Sequence, residues 1–422
     1  MYERFFALLG LLVVIGAYIR YSRARLRLSS IAVAIPFLSY VFNRTKLGSY
    51  NAFAAFVSLS TALAIFYSAF ALDEYPTASS LVLASAIGAL VASLSENRLR
   101  ILVGRELGSV PTYLLVAYDK RYEPAKKYAA VGVIGSIVML LGLVLYAIDT
   151  GTLEFVKPSG SLGAIAALLI LSGMLVKLPV FPIHARLVDV FDEGYPKSLP
   201  RIASGTKVIV FTALTYAILK SLNLDKLILF AAILIATTMT YANIAALGED
   251  DVLRILAYST IAHASYAFIG LAAMTNQALV GMRIHILGTA IMKGGILAFI
   301  ALAGIRSLDD LAGLKKRPAI AIAFVASIFS LIGIPPFIGF RSKYRLFMGS
   351  IGTKYRRLAV LLVINTIISI GYYGKLIAKA FEEGEPSYSD YKALAILIII
   401  GLFISLFPQY LFDFASKAIS AL

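Results

Sequence analysis

Cysteine and tryptophan are absent from the 422 residues, histidine occurs three times (His184, His263 and His285), and charged side chains make up only 15% of the chain. Each shortage removes a class of function. Iron–sulfur clusters are held mainly by thiolates, so none is expected on this chain. The three histidines form no dedicated haem pair at a suitable spacing, and no cofactor of any kind is expected here. Neither a glycine-rich dinucleotide fingerprint nor a Walker loop stands between a strand and a helix. Ser204-Gly-Thr-Lys207 fits the S-x-x-K pattern of acylating enzymes, but it is a short pattern set inside an apolar stretch. Redox and covalent chemistry are therefore expected elsewhere than on this chain.

What the sequence has is apolar length. Hydrophobic residues are 60% of it and the mean hydropathy is +0.85. A soluble domain carries nearer a quarter of charged residues. A helix needs about 20 apolar residues to cross the hydrocarbon core, and that rule predicts about fourteen spans, the first near Phe5 and the last near Ala393. In lipid only helices or closed barrels satisfy the backbone. Continuous apolar runs without period-2 alternation select helices. The expectation is an all-α polytopic membrane protein, read as one membrane domain over 1–422.

Basic residues outnumber acidic ones by 39 to 23, a net charge of +16. They are scattered over short loops, so topology, anionic lipid and acidic partners account for them and nucleic acid does not. Arg20, Arg23, Arg25 and Arg27 follow the first apolar segment with no small-residue cleavage site. That pattern predicts a retained span with its N-terminus outside the cell membrane. Lys120 to Lys127 and Arg306 to Arg317 agree. Arg341 to Arg357, read as a basic loop, falls on the wrong side.

The informative exceptions are ionisable residues inside the spans: Glu106, Lys177, Lys207, His263, Lys293 and Lys343. A cation at the bilayer centre costs roughly 2.5–3.5 kcal/mol on insertion scales, and such residues mark ion or proton paths. Two stretches are also broken by proline, Lys177-Leu-Pro179-Val-Phe-Pro182-Ile-His184 and Gly333-Ile-Pro335-Pro336-Phe-Ile-Gly339-Phe-Arg-Ser-Lys343. Proline removes a backbone donor and clashes with the preceding turn. Paired interruptions in two halves point to inverted repeats around a central ion site, placed here at about 76–220 and 225–382. The alternatives are a kinked packing helix at each break, and structural or snorkelling charges at each ionisable position.

At these residues the chain resembles the antiporter-like membrane subunits of respiratory complex I, a family shared with Mrp-type cation/proton antiporters and membrane-bound hydrogenases. Glu106-Leu-Gly-Ser-Val-Pro-Thr-Tyr-Leu-Leu-Val is similar to the family's E-L-x-S-L-x-x-Y-L-L-V. Lys127-Tyr-Ala-Ala-Val-Gly resembles K-Y-F-x-x-G. The Lys177–His184 break, with Pro196 and the Ser204–Lys207 stretch, looks like the lysine-bearing broken helix and its successor. Asp251-Val-Leu-Arg-Ile-Leu-Ala-Tyr-Ser-Thr-Ile-Ala-His263 is similar to D-L-K-R-L-L-A-Y-S-S-I-x-H. Gly333 to Lys343 resembles G-x-P-P-x-x-G-F-x-x-K. Arg105 departs from a common tryptophan, and Thr289 from a frequent histidine. Leu422 follows soon after the last span, which favours the shorter M- or N-type members, and Tyr372-Tyr373 resembles the N-type.

The resemblance implies a proton or sodium relay. Burial disfavours an ammonium and a neighbouring carboxylate restores it, so Glu106 would hold Lys177 protonated until the two part. Lys207 and His263 would form the centre, Lys293 and His285 on one helix would continue the path, and Lys343 would end it. His184 is read as structural or near an entrance. The partners implied are other antiporter-like and small membrane subunits, lipid, and peripheral redox subunits bearing iron–sulfur or other centres. An Mrp-type antiporter without redox partners is the alternative, and a solute permease would need a substrate pocket that no residue set here marks.

Overall fold

The computed structural model describes residues 76–93, 97–154, 156–158, 160–205, 225–386 and the single positions 65, 67, 68, 210, 211, 388, 389, 391, 395 and 398. The first two expected spans, most of the third, the arginines from Arg20 to Arg27, Lys207, and most of the last span lie outside them. The regular elements among the described residues are all helices, with two isolated antiparallel bridges and no strand. They group into two compact units whose border falls between Ala231 and Ala232.

In the first unit α1 (Pro76–Ser93) packs on α2 (Arg98–Val116), followed by α3 (Tyr122–Thr150), α4 (Ser161–Lys177) and α5 (Ala185–Glu193). Each boundary has a local cause. Asn97 caps α2, its side-chain oxygen accepting the Leu99 N–H at 2.8 Å. Such a cap satisfies a donor that the helix start leaves free. Gly151, at φ +71°, closes α3 in the left-handed conformation that glycine adopts without strain. Where α3 crosses α4, Gly135 and Gly173 let backbones meet: a Cβ on Gly173 would lie 2.5 Å from the Gly135 carbonyl. Small residues at a crossing are how membrane helices approach closely. The outer side of α3 carries exposed Ile134, Ile137 and Ile148, an apolar surface suited to lipid.

The second unit takes most of α6 (Asp225–Leu247), then α7 (Val252–Ala273), α8 (Asn276–Ala303), α9 (Pro318–Ile332), α10 (Ile338–Ile351) and α11 (Arg356–Phe381). Asp251 caps α7 by accepting the Arg254 N–H at 2.9 Å, and the helix start suits its charge. Thr275 caps α8 at Ala278. Every residue in the apolar window of α7 is buried, against a third in α11, so α7 forms the core of this unit and α11 a flank. Five described helices (α3, α6, α7, α8 and α11) are long and apolar enough to cross a membrane.

The same order of parts occurs in both units. A capped helix leads to a long helix and a bridge back to the cap, Asn97 to Glu154 in one and Asp251 to Ser307 in the other. A short half-helix, a proline break and a second half-helix follow. The second bridge rests on a loop pinned by Asp310. Slight burial works against its charge, but the backbone N–H groups of Arg306 (2.8 Å) and Ser307 (2.7 Å) hold the carboxyl below the usual carboxylate range.

One expectation needs correcting. Arg341 to Arg357 is not a basic loop: α10 runs through Ile351, so Arg341 and Arg345 are helical and only a short turn precedes α11. Lys354, Arg356 and Arg357 remain at that turn and the start of α11, so part of the basic charge stays between the two helices.

Candidate functional site

Both breaks are built alike. In the first, α4 ends at Lys177 and the prolines of Leu178-Pro179-Val-Phe-Pro182 prevent its continuation until α5 begins. The freed Val176 carbonyl accepts from the Arg186 guanidinium of α5. In the second, α9 ends at Gly333 (φ +94°) before Pro335-Pro336. Lys343 of α10 donates to the carbonyls of Ile332 (2.8 Å) and Leu331 (3.1 Å), with its ammonium 5.0 Å from the Tyr266 ring centre. A cation at a helix C-terminus answers both its orphan carbonyls and its dipole. Lys177 and Lys343 therefore stand differently: Lys177 closes the first half-helix of its break, whereas Lys343 reaches back from the second.

The Lys177 side chain is 6% exposed, and its Nζ lies 2.8 Å from Glu106 Oε1, 2.9 Å from Ser109 Oγ and 3.3 Å from the Tyr113 hydroxyl. The last three sit on one side of α2, at i, i+3 and i+7. The same Glu106 oxygen also accepts from Ser136 of α3 at 2.7 Å and from Arg105 Nε at 3.3 Å. Beside this cluster is a cavity of about 30 Å³ lined by Arg105, Ser109, Tyr113, Tyr128, Lys177 and Arg186, with room for about one or two waters.

In the second unit the buried polar groups form a line. Lys293 Nζ donates to Ser259 Oγ at 2.6 Å, Ser259 meets the Tyr373 hydroxyl at 2.5 Å, and Tyr373 meets His263 Nε2 at 3.3 Å. His263 Nδ1 is 3.1 Å from His285 Nε2, the rings stacked at 14°. His285 Nδ1 is 3.1 Å from Ser342 Oγ, which donates to the Gly339 carbonyl at 2.9 Å. With both imidazoles neutral and Ser342 donating to Gly339, one assignment of the hydrogens runs through the whole line. Ser342 gives its only hydrogen to Gly339, so it accepts from His285 Nδ1–H. Neutral His285 then accepts at Nε2 from His263 Nδ1–H, His263 accepts from Tyr373, Tyr373 from Ser259, and Ser259 from the ammonium. In that tautomer state every donor points from Lys293 towards Ser342. A small cavity of about 10 Å³ adjoins His263, His285, Thr289, Ser330 and Ser342, enough for about one water.

His285 and Lys293 share α8 as expected, but the hydrogen bonds between them leave the helix and return through α7 and α11. Ser259, Tyr373 and Ser342 carry no relay signal in the sequence: hydroxyls and tyrosines in apolar spans look like packing until their partners are placed. A second buried cluster braces this line. Asn243 Nδ2 reaches the Tyr266 hydroxyl (2.8 Å) and Asn365 Oδ1 (3.1 Å), and Tyr372 donates to Asn243 Oδ1 (3.0 Å). His184 starts α5, buried and stacked on Phe181. Among the described residues no three His, Cys, Asp or Glu side chains gather as a metal site would require.

Residues 95–369 match the family profile described as NADH:quinone oxidoreductase/Mrp antiporter, transmembrane. The chain belongs to this family. It is 29% identical over 373 residues to the NADH-quinone oxidoreductase subunit N of Trichlorobacter lovleyi, covering 80% of this chain and 76% of that one. The F(420)H(2) dehydrogenase subunit N of Methanosarcina mazei is 28% identical over 378 residues, with 80% and 76% covered. Among solved structures, a chain of the Mrp complex from Dietzia superposes with a TM-score of 0.83 at 20% identity, covering 100% of this chain and 96% of that one. This last likeness speaks for the fold alone. The chain is thus a helical membrane subunit of the antiporter-like family.

Proposed function

We propose that this chain translocates protons, or sodium ions, as an antiporter-like subunit of a complex I-like oxidoreductase in a prokaryotic plasma membrane, with its N-terminus outside. Its redox partners would lie in peripheral subunits, and neighbouring membrane subunits would flank it. The observation that carries this reading is the Glu106–Lys177 pair, a buried charge at the end of a broken half-helix, 2.8 Å from its counter-ion. A cation at the end of a half-helix serves there as a cap by itself; the carboxylate partner, which a cap does not require, is what a switch uses.

Glu106 stabilises the charged Lys177 in this reading. When the two separate, the lysine loses its partner and passes its proton on towards Lys207. The hydrogen-bonded line from Lys293 to Ser342 is read as the second half of the path, a proton entering at the lysine being relayed by its hydroxyls and imidazoles. Lys343 ends it. The two broken-helix modules are read as repeats over about 76–220 and 225–382.

Native mass spectrometry of the intact solubilised assembly tests the driver. The expected result is iron–sulfur-bearing subunits bound with this chain. Small membrane subunits alone would overturn the redox assignment and favour an Mrp-type antiporter, which the family description also admits. Lys207→Ala is expected to abolish the pH gradient formed by reconstituted assembly; an unchanged gradient removes Lys207 from the relay.

A further inference from the structure

Glu106 has two cations on one oxygen. Lys177 Nζ lies 2.8 Å from Oε1 and Arg105 Nε 3.3 Å from the same atom. Ser136 joins them, donating to Oε1 at 2.7 Å while accepting from Arg105 NH2 at 3.4 Å. Neighbouring residues on a helix normally point about 100° apart, so Arg105 reaches Glu106 only by folding its side chain along α2. It does so while 1% exposed. A simple lysine–glutamate switch does not require this second cation.

Charge balance supplies a use for it. With Lys177 as sole partner, a neutral lysine would leave Glu106, half-buried with 29% of its side chain exposed, as an unpaired carboxylate in an apolar span, a state that costs free energy. A guanidinium does not deprotonate in proteins. With Arg105 in place, loss of the Lys177 charge leaves a balanced Arg105–Glu106 pair. The other groups facing the cluster are Tyr113 of α2, Tyr128 of α3 and Arg186 of α5. None of these is a carboxylate, and the Arg186 guanidinium is engaged by the Val176 carbonyl and the Tyr128 ring, so Arg105 is the guanidinium that bonds Glu106 directly. We propose that Arg105 is a positioning residue, a permanent counter-ion that keeps Glu106 ionised whether or not Lys177 carries its proton. This rests on Lys177 acting as an ion-relay residue.

Isotope-edited infrared spectroscopy of the purified full assembly tests it, with Glu106→Gln identifying the Glu106 bands. In Lys177→Met, Glu106 is expected to remain a carboxylate at neutral pH. In the Lys177→Met/Arg105→Gln double variant its protonated carboxyl band is expected to appear. A protonated Glu106 in the single variant, or an ionised one in the double, overturns the proposal. These states are read without transport, so they stand apart from failure of the relay itself, which would show as normal translocation in a Lys177 variant. Arg105→Gln alone offers a second readout should the double variant fail to assemble. Its translocation should move to higher pH by about 1–3 units, because Lys177 would then give up its proton only at the expense of balance. Arg105→Lys should return the profile towards wild type. A pH profile unchanged by Arg105→Gln contradicts the proposal.

Discussion

A lysine alone in an apolar helix is an expense; the same lysine with three polar partners is a component. Lys177 was conspicuous in the sequence because its charge interrupts a hydrophobic run, and its motif nominated Glu106. Ser109 and Tyr113, which complete its shell, lie in that same motif at helical spacing. The line in the second unit was far less legible. His263, His285 and Lys293 are visible as ionisable residues in spans, whereas Ser259 and Tyr373 connect them only through contacts between distant helices. The adjacent tyrosines give a contrast that separates conduction from packing. Tyr373→Phe removes the hydroxyl between Ser259 and His263, and translocation by reconstituted assembly is expected to fall at least about tenfold. Tyr372→Phe leaves Asn243 Oδ1 short of a donor, a loss of about 1–3 kcal/mol, and should lower the Tm while translocation continues. Equal effects of the two on flux would remove Tyr373 from the path.

The broken half-helices are where sequence patterns carried furthest. Prolines at 179, 182, 335 and 336 announce the interruptions, because a missing donor and a ring clash are local facts. What closes them was hidden: Arg186 and Lys343 cap carbonyls across the gaps, and nothing in a hydropathy pattern distinguishes a cap from a surface charge. The same blindness turned the helical Arg341 and Arg345 into an apparent loop. Lys343→Arg should preserve the cap and therefore the Tm, while abolishing translocation, since arginine holds its proton. Retained translocation would leave Lys343 a structural cap alone. At the loop after α8, Asp310 is expected to contribute stability above the ordinary carboxylate range and lose it as pH falls through its lowered pKa. Hydrogen exchange at the Arg306 and Ser307 amides checks this: exchange should accelerate, relative to intrinsic rates, at the acid end only.

On the scale of the whole molecule, composition alone settled the class. A chain so poor in charge and so long in apolar runs has lipid as its solvent, and the exposed isoleucines of α3 agree. The family match and the two proline-broken modules give that fold its purpose: each unit holds an apolar shell around a few ionisable groups. The driver is an inference from kinship, and native mass spectrometry addresses it. The central claim is that the buried charges conduct. Its most direct test is ion uptake into sealed vesicles of the native membrane carrying Lys177→Ala, beside wild type at equal assembly. The account predicts that the coupled uptake due to this assembly is abolished while the assembled subunits remain. Wild-type uptake in the Lys177→Ala vesicles would contradict it.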